Sequence, residues 1–153
     1  MHESTIKIAA QFMLAMGIYA LVVSLFWIFL TEVMFVSDFA AYTGQSLSDA
    51  LASSSKSAEL WLITKRLIGV QLLSVSLLII FIAQKSYSRG EKWSWYALLI
   101  TGTITWGSLI GYKIVIGYFQ PTPSSMTFII GAILFIVGII LPAKTILGKN
   151  PPK

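Results

Sequence analysis

Four apolar stretches, Ile8–Leu30, Leu60–Ala83, Ser94–Ile116 and Met126–Leu147, fill most of this 153-residue chain. A helix that crosses a bilayer needs about 20 apolar residues, and each stretch reaches that length. A hydrophobic share of 56%, a charged share of 11% and a mean hydropathy of +0.81 agree with that reading. The expectation is an all-α integral-membrane four-helix bundle forming a single domain over residues 1–153. A connection over 31–57 joins the first two spans, and a polar, Pro-rich tail at 148–153 is expected to be disordered.

The residue types that usually announce chemistry are scarce. The chain has one histidine, His2, and no cysteine. A lone His2 in a polar N-terminal hexapeptide cannot by itself make a zinc, copper or haem site, each of which needs several converging N or S ligands. Disulfide, iron–sulfur and thiol redox chemistry all need cysteine. No metal ligand set, catalytic residue or resident cofactor is therefore expected; a bound lipid or quinone is the small-molecule class left open.

The formal charge of +5 does not point to nucleic acid, because Lys and Arg sit at the ends of the apolar runs. That placement is an orientation signal. With four spans, Lys7, Lys85, Arg89, Lys92, Lys144, Lys149 and Lys153 share one side, and Lys56, Lys65, Arg66 and Lys113 share the other. The positive-inside rule then predicts a multi-pass cell-membrane protein with both termini cytoplasmic. The run after Lys7, at about 23 residues, exceeds the h-region of a signal peptide. Span one is expected to be retained as an anchor.

The connection over 31–57 carries Phe35, Phe39 and Tyr42 at i, i+4 and i+7, one face of a short amphipathic helix that suits a membrane surface; a floppy loop with a helical turn or two is the other reading. Ser46 with Asp49 has the spacing of a capping box, and the run Ser53–Ser57 supplies an N-cap for span two. On the other side, Tyr87, Trp93, Trp95 and Tyr96 read as an aromatic belt, and Trp27 as an interfacial anchor. Residues Tyr118–Ser125 read as a tight, uncharged turn.

Span three holds Gly107 and Gly111 in a GxxxG, extended one step back by Thr103, and span four holds Gly131 and Gly138 on one face. Such spacing lets a neighbouring backbone approach closely, within the chain or between subunits. Trp106, mid-span, is expected to fill a gap beside Thr103 and Gly107. Gln71 and Ser74 have the character of interhelical hydrogen-bonding groups.

The ionisable residues with a claim to function are Glu32, Lys65, Arg66 and Lys113. Lys65 and Lys113 each lie 19 residues from the basic interface, about 28 Å along a helix, and so at similar depth. Asp38 and Glu59 can reach the same level. Two readings compete: long side chains that snorkel or pair with nearby acids, or a polar mouth for an anionic substrate, headgroup or quinone. Lys65 and Arg66 are adjacent, so they project roughly 100° apart and cannot both face one cavity. All six acids fall outside the predicted central hydrocarbon, whereas proton-coupled transport needs an acid or histidine within the spans.

The stretch from Lys65-Arg66-Leu-Ile-Gly69 through Arg89-Gly-Glu-Lys-Trp-Ser-Trp-Tyr96 resembles small four-span proteins of bacteria and archaea, broadly DoxX-like. An Arg-x-x-Gly opens a span there, and a basic-Trp-x-Trp turn leads into the next. The resemblance covers about thirty residues and transfers no catalytic residue. It implies a four-helix membrane bundle, a prokaryotic source and association with membrane oxidases or quinone-linked enzymes. Packing devices without chemistry lead to the expectation of a non-catalytic accessory subunit of a larger integral-membrane complex. That complex would be an oxidoreductase of respiratory or monooxygenase type, the partners being other membrane subunits and the lipid bilayer. The alternative is a small oligomeric channel or carrier entered past the charged rim.

Overall fold

The computed structural model describes residues 2–53, 56–117 and 123–148. The described elements are all helical: α1 (His2–Phe29), α2 (Thr31–Thr43), α3 (Leu47–Ala52), α4 (Lys56–Lys85), a 3-10 turn (Tyr87–Arg89), α5 (Lys92–Val115), α6 (Pro123–Ile140) and α7 (Ala143–Leu147). Four segments, Glu3–Phe29, Lys56–Arg89, Lys92–Val115 and Phe128–Leu147, are long and apolar enough to cross a membrane. A helix closes its own backbone hydrogen bonds, which is what hydrocarbon demands of a spanning segment. The chain is thus an all-α, multi-pass membrane four-helix bundle. Residues 54–55 of the serine run, 118–122 of the expected turn and 149–153 of the tail lie outside the described residues.

α1 is the central helix and packs along both α4 and α6, while α5 closes the bundle on α6 and meets α4 only sparsely. Buried residues of α1 recur every three or four positions (Ala9, Met13, Met16, Ala20, Val23, Trp27) and form one core with residues of α4, α5 and α6. Gly69 lets α4 come close to α1, since a Cβ there would stand 2.9 Å from that of Trp27. The predicted interfacial role of Trp27 does not hold. Its side chain is buried (3% exposed), because α2 and α4 cover the end of α1 from which it projects.

At the end shared by the start of α1 and the close of α6, a proline organises the packing. Pro142 has no N–H, so the Gly138 carbonyl lacks its donor four residues on. Tyr87 supplies it, donating its hydroxyl to Gly138 O at 2.6 Å. Beside it, the Trp95 indole N–H donates to Ile139 O at 3.0 Å. The predicted aromatic belt therefore divides: Tyr87 and Trp95 turn inward to these carbonyls, and Trp93 and Tyr96 stay exposed.

At the opposite end α1 stops where the Thr31 hydroxyl donates to Trp27 O at 2.6 Å, and α2 turns back over the bundle. α2 ends on Gly44, whose φ of +71° suits glycine. Ser46 then caps α3, its hydroxyl accepting from the Asp49 N–H at 3.0 Å, so the predicted capping box is half realised. Phe35, Phe39, Leu47, Ala50, Ala58 and Leu62 make a second, smaller core. The aromatic face predicted for 31–57 exists, but it packs on α4: Phe35, Phe39 and Tyr42 surround Trp61 at centroid distances of 5.8 to 6.1 Å. Phe35 and Phe39 are buried there, while Tyr42 and Trp61 keep an exposed edge.

Candidate functional site

A stripe of buried positions on α4 runs Ala58, Leu62, Lys65, Gly69, Leu72, Ser76, Ile79 and Ala83, an alternation of three and four, with Ile82 buried beside it. Lys65 occupies a core position on that stripe. The buried positions of α5 likewise run Trp95, Leu98, Gly102, Trp106 and finally Lys113. On α2, Asp38 falls between Phe35 and Phe39 on the inward face. Three helices thus each turn one ionisable side chain toward the same end of the bundle. Asp38 is 1%, Lys113 2% and Lys65 8% exposed.

Asp38 is the hub. Lys113 Nζ lies 2.5 Å from its Oδ1, and the Tyr112 hydroxyl donates to Oδ2 at 3.1 Å. A buried pair of this kind is roughly neutral against apolar replacements of similar volume. Removing one partner is a different matter and costs about 3–5 kcal/mol, because the survivor stays buried and uncompensated. Phe128 of α6 closes the site, its ring centroid 5.4 Å from Lys113 Nζ.

Lys65 is held differently. Its ammonium stands over the Tyr112 ring at 3.7 Å and lies 5.0 Å from the centroids of both Trp27 and Phe35. Desolvated cation–π contacts are worth about 2 kcal/mol or more, against a burial cost of several kcal/mol for an ammonium. Aromatic faces therefore offset only part of that cost. Among the described residues no carboxylate forms an ion pair with Lys65. Its side chain borders a cleft of about 360 Å³ lined by Phe35, Asp38, Tyr42, Trp61, Ile68, Tyr112, Val115 and Ile116.

The four residues of the predicted rim do not form one mouth. Lys65 and Lys113 are drawn into the Asp38 cluster. Glu32 and Arg66 are exposed, and they line a separate groove of about 490 Å³ with Lys56 and Glu59. Arg66 Nε donates to the Thr31 hydroxyl at 3.3 Å, which ties α4 to the α1–α2 junction. The predicted divergence of Lys65 and Arg66 is what the two clefts display. Of the residues that complete the site, the sequence places Asp38 at a similar level but outside the rim set, and it assigns Tyr112 no role. The signal was present for Asp38: an acid inside an i, i+3, i+4, i+7 apolar stripe is a candidate for burial.

The predicted packing residues also divide. A Cβ on Gly131 would lie 1.9 Å from the Trp106 ring, and one on Gly138 2.8 Å from Met13 Sδ, so both glycines serve contacts within the chain. Trp106 fills the space left by Gly131, not by Thr103 and Gly107, and its N–H points to Met16 Sδ at 3.3 Å. Among the described residues a Cβ added at Gly107 or Gly111 would meet nothing within 4 Å, and Thr103 is exposed on the same helix. Gln71 lines a smaller cleft of about 190 Å³ between α4 and α5, floored by Trp27 and Phe128. Ser74 is exposed and donates to Val70 O of its own helix at 3.3 Å, not across helices.

Among the described residues no group of three or more His, Cys, Asp or Glu side chains is placed to hold a metal ion. No protein-family model, curated protein or solved structure matches the chain.

Proposed function

We propose that this protein is a non-catalytic subunit of a larger integral-membrane assembly, of the respiratory or monooxygenase oxidoreductase type that the DoxX-like resemblance implies. The observation that carries the reading is the direction of the GxxxG on α5. Gly131 and Gly138 are consumed by packing inside the chain, while a Cβ added at Gly107 or Gly111 would meet no described residue within 4 Å. A pair of glycines one turn apart on an apolar helix forms a shallow groove suited to a second helix. α5 is also the span with the smallest share of buried residues. Partner helices of other subunits would seat there, and the cap built by α2 and α3 would meet a partner's extramembranous part. The bilayer would be the cell membrane, with both termini on the cytoplasmic side.

The experiment is a mild-detergent purification of the tagged native protein, with native mass determination and identification of the co-purifying chains. A stoichiometric set of larger membrane subunits, lost from Gly107→Leu and Gly111→Leu proteins that still fold, is the expected result. A lone monomer or a homo-oligomer would overturn the proposal. The channel or carrier reading draws less support, because Glu32 and Arg66 line a different cleft from Lys65.

A further inference from the structure

The Asp38 cluster is unbalanced by one charge. It contains two ammonium groups, Lys65 and Lys113, and one carboxylate whose oxygens are engaged by Lys113 and Tyr112. All six side-chain carboxylates of the chain lie among the described residues, and none forms an ion pair with Lys65. A buried cation of this kind calls for a counter-anion.

We propose that the cleft between α2, α4 and α5 binds the phosphate of an anionic phospholipid, with Lys65 as its counter-ion. The cleft is shaped for part of such a molecule. At about 360 Å³ it admits a headgroup and not the acyl chains. Its outer wall is apolar and open: Val115 is 77% and Ile68 40% exposed, so chains leaving the cleft run along lipid-facing surface. Tyr42 and Trp61, both exposed, stand at its rim, and such amphipathic rings sit at headgroup level. One monoanionic phosphodiester balances the single excess charge. A free phosphate would carry more charge and would turn unesterified oxygens against Ile68, Val115 and Ile116, whereas a diester directs its substituents there. This inference stands apart from the subunit reading and needs no partner chain.

The test uses the full chain, delipidated in mild detergent and offered phosphatidylglycerol and phosphatidylcholine in equal amounts, with bound lipid counted by native mass spectrometry. The wild type is expected to retain one phosphatidylglycerol with about a tenfold preference, because the choline cation of phosphatidylcholine accompanies its phosphate into the cleft and leaves the excess charge of the site unbalanced. Lys65→Gln abolishes the preference, and Lys85→Gln, which removes the same charge at the other end of α4, keeps it. Ile68→Trp, which obstructs the cleft while leaving Lys65 in place, also abolishes it and serves if Lys65→Gln fails to fold. Equal retention of both lipids by the wild type, or a preference that survives Lys65→Gln or Ile68→Trp, overturns the proposal. Displacement of the lipid by millimolar inorganic phosphate would assign the cleft to free phosphate and overturn the lipid source.

Discussion

Lys113 of α5 and Asp38 of α2 meet at 2.5 Å with both side chains enclosed, so the outermost part of the bundle is joined to a spanning helix by a buried ion pair. The pair sets where α2 sits, because the carboxylate has to reach both Lys113 and the Tyr112 hydroxyl.

Asp38→Asn should therefore destabilise the protein by about 3–5 kcal/mol, since it strands the Lys113 ammonium without its counter-charge. The double substitution Asp38→Leu with Lys113→Met should cost less than Asp38→Asn alone, because apolar side chains need no partner. Thermal unfolding midpoints in detergent micelles decide it. A double variant as damaged as the single one would mean that shape, not charge, holds the contact.

Tyr87→Phe removes the donor that stands in for the missing N–H of Pro142. The Gly138 carbonyl then stays buried without its hydrogen bond, at a cost of about 1–3 kcal/mol. Tyr96→Phe, an exposed control on the same side, should stay within about 0.5 kcal/mol of the wild type. Unfolding midpoints and hydrogen exchange across α6 and α7 test the pair; equal effects of the two variants would refute the assignment.

Gly131→Ala and Gly107→Ala should part company. The first drives a methyl group to 1.9 Å from the Trp106 ring, and overpacking of that kind costs about 1–3 kcal/mol. The second meets no described residue within 4 Å and gains helix propensity of up to about 1 kcal/mol. In the isolated chain only Gly131→Ala should lower the unfolding midpoint. A loss of stability from Gly107→Ala would show that α5 packs on another helix of the same chain.

Because the chain lacks cysteine, its sidedness can be read from single introduced thiols. Ser48 on α3 and Lys85 at the close of α4 are both exposed and lie at opposite ends of the bundle. A membrane-impermeant maleimide added to intact cells should label Ser48→Cys and leave Lys85→Cys unlabelled until lysis. The reverse pattern would invert the proposed orientation.

The class of fold was legible because the solvent dictates it: four runs of about 20 apolar residues have few alternatives to spanning helices. Period and local chemistry were equally readable, in the Phe35–Phe39–Tyr42 face and the Ser46 cap. The fate of individual residues was not. Whether Tyr87 faces lipid or a carbonyl depends on Pro142, fifty-odd residues away in the chain and adjacent only after packing. Trp106 found its space at Gly131 and not beside its own Gly107, because complementary volumes come from different helices.

The charged residues show the division most clearly. The sequence by itself determined that Lys65, Lys113 and Asp38 lie near one end of the bundle, and left open whether the lysines snorkel, pair with acids or line a mouth. Only the tertiary structure decided that α2 folds back to place one carboxylate against Lys113 and Tyr112, leaving Lys65 among aromatic faces beside a cleft. Depth along a helix is a local property of residue count, while pairing depends on the rotation and crossing of helices, which side-chain packing fixes for the bundle as a whole.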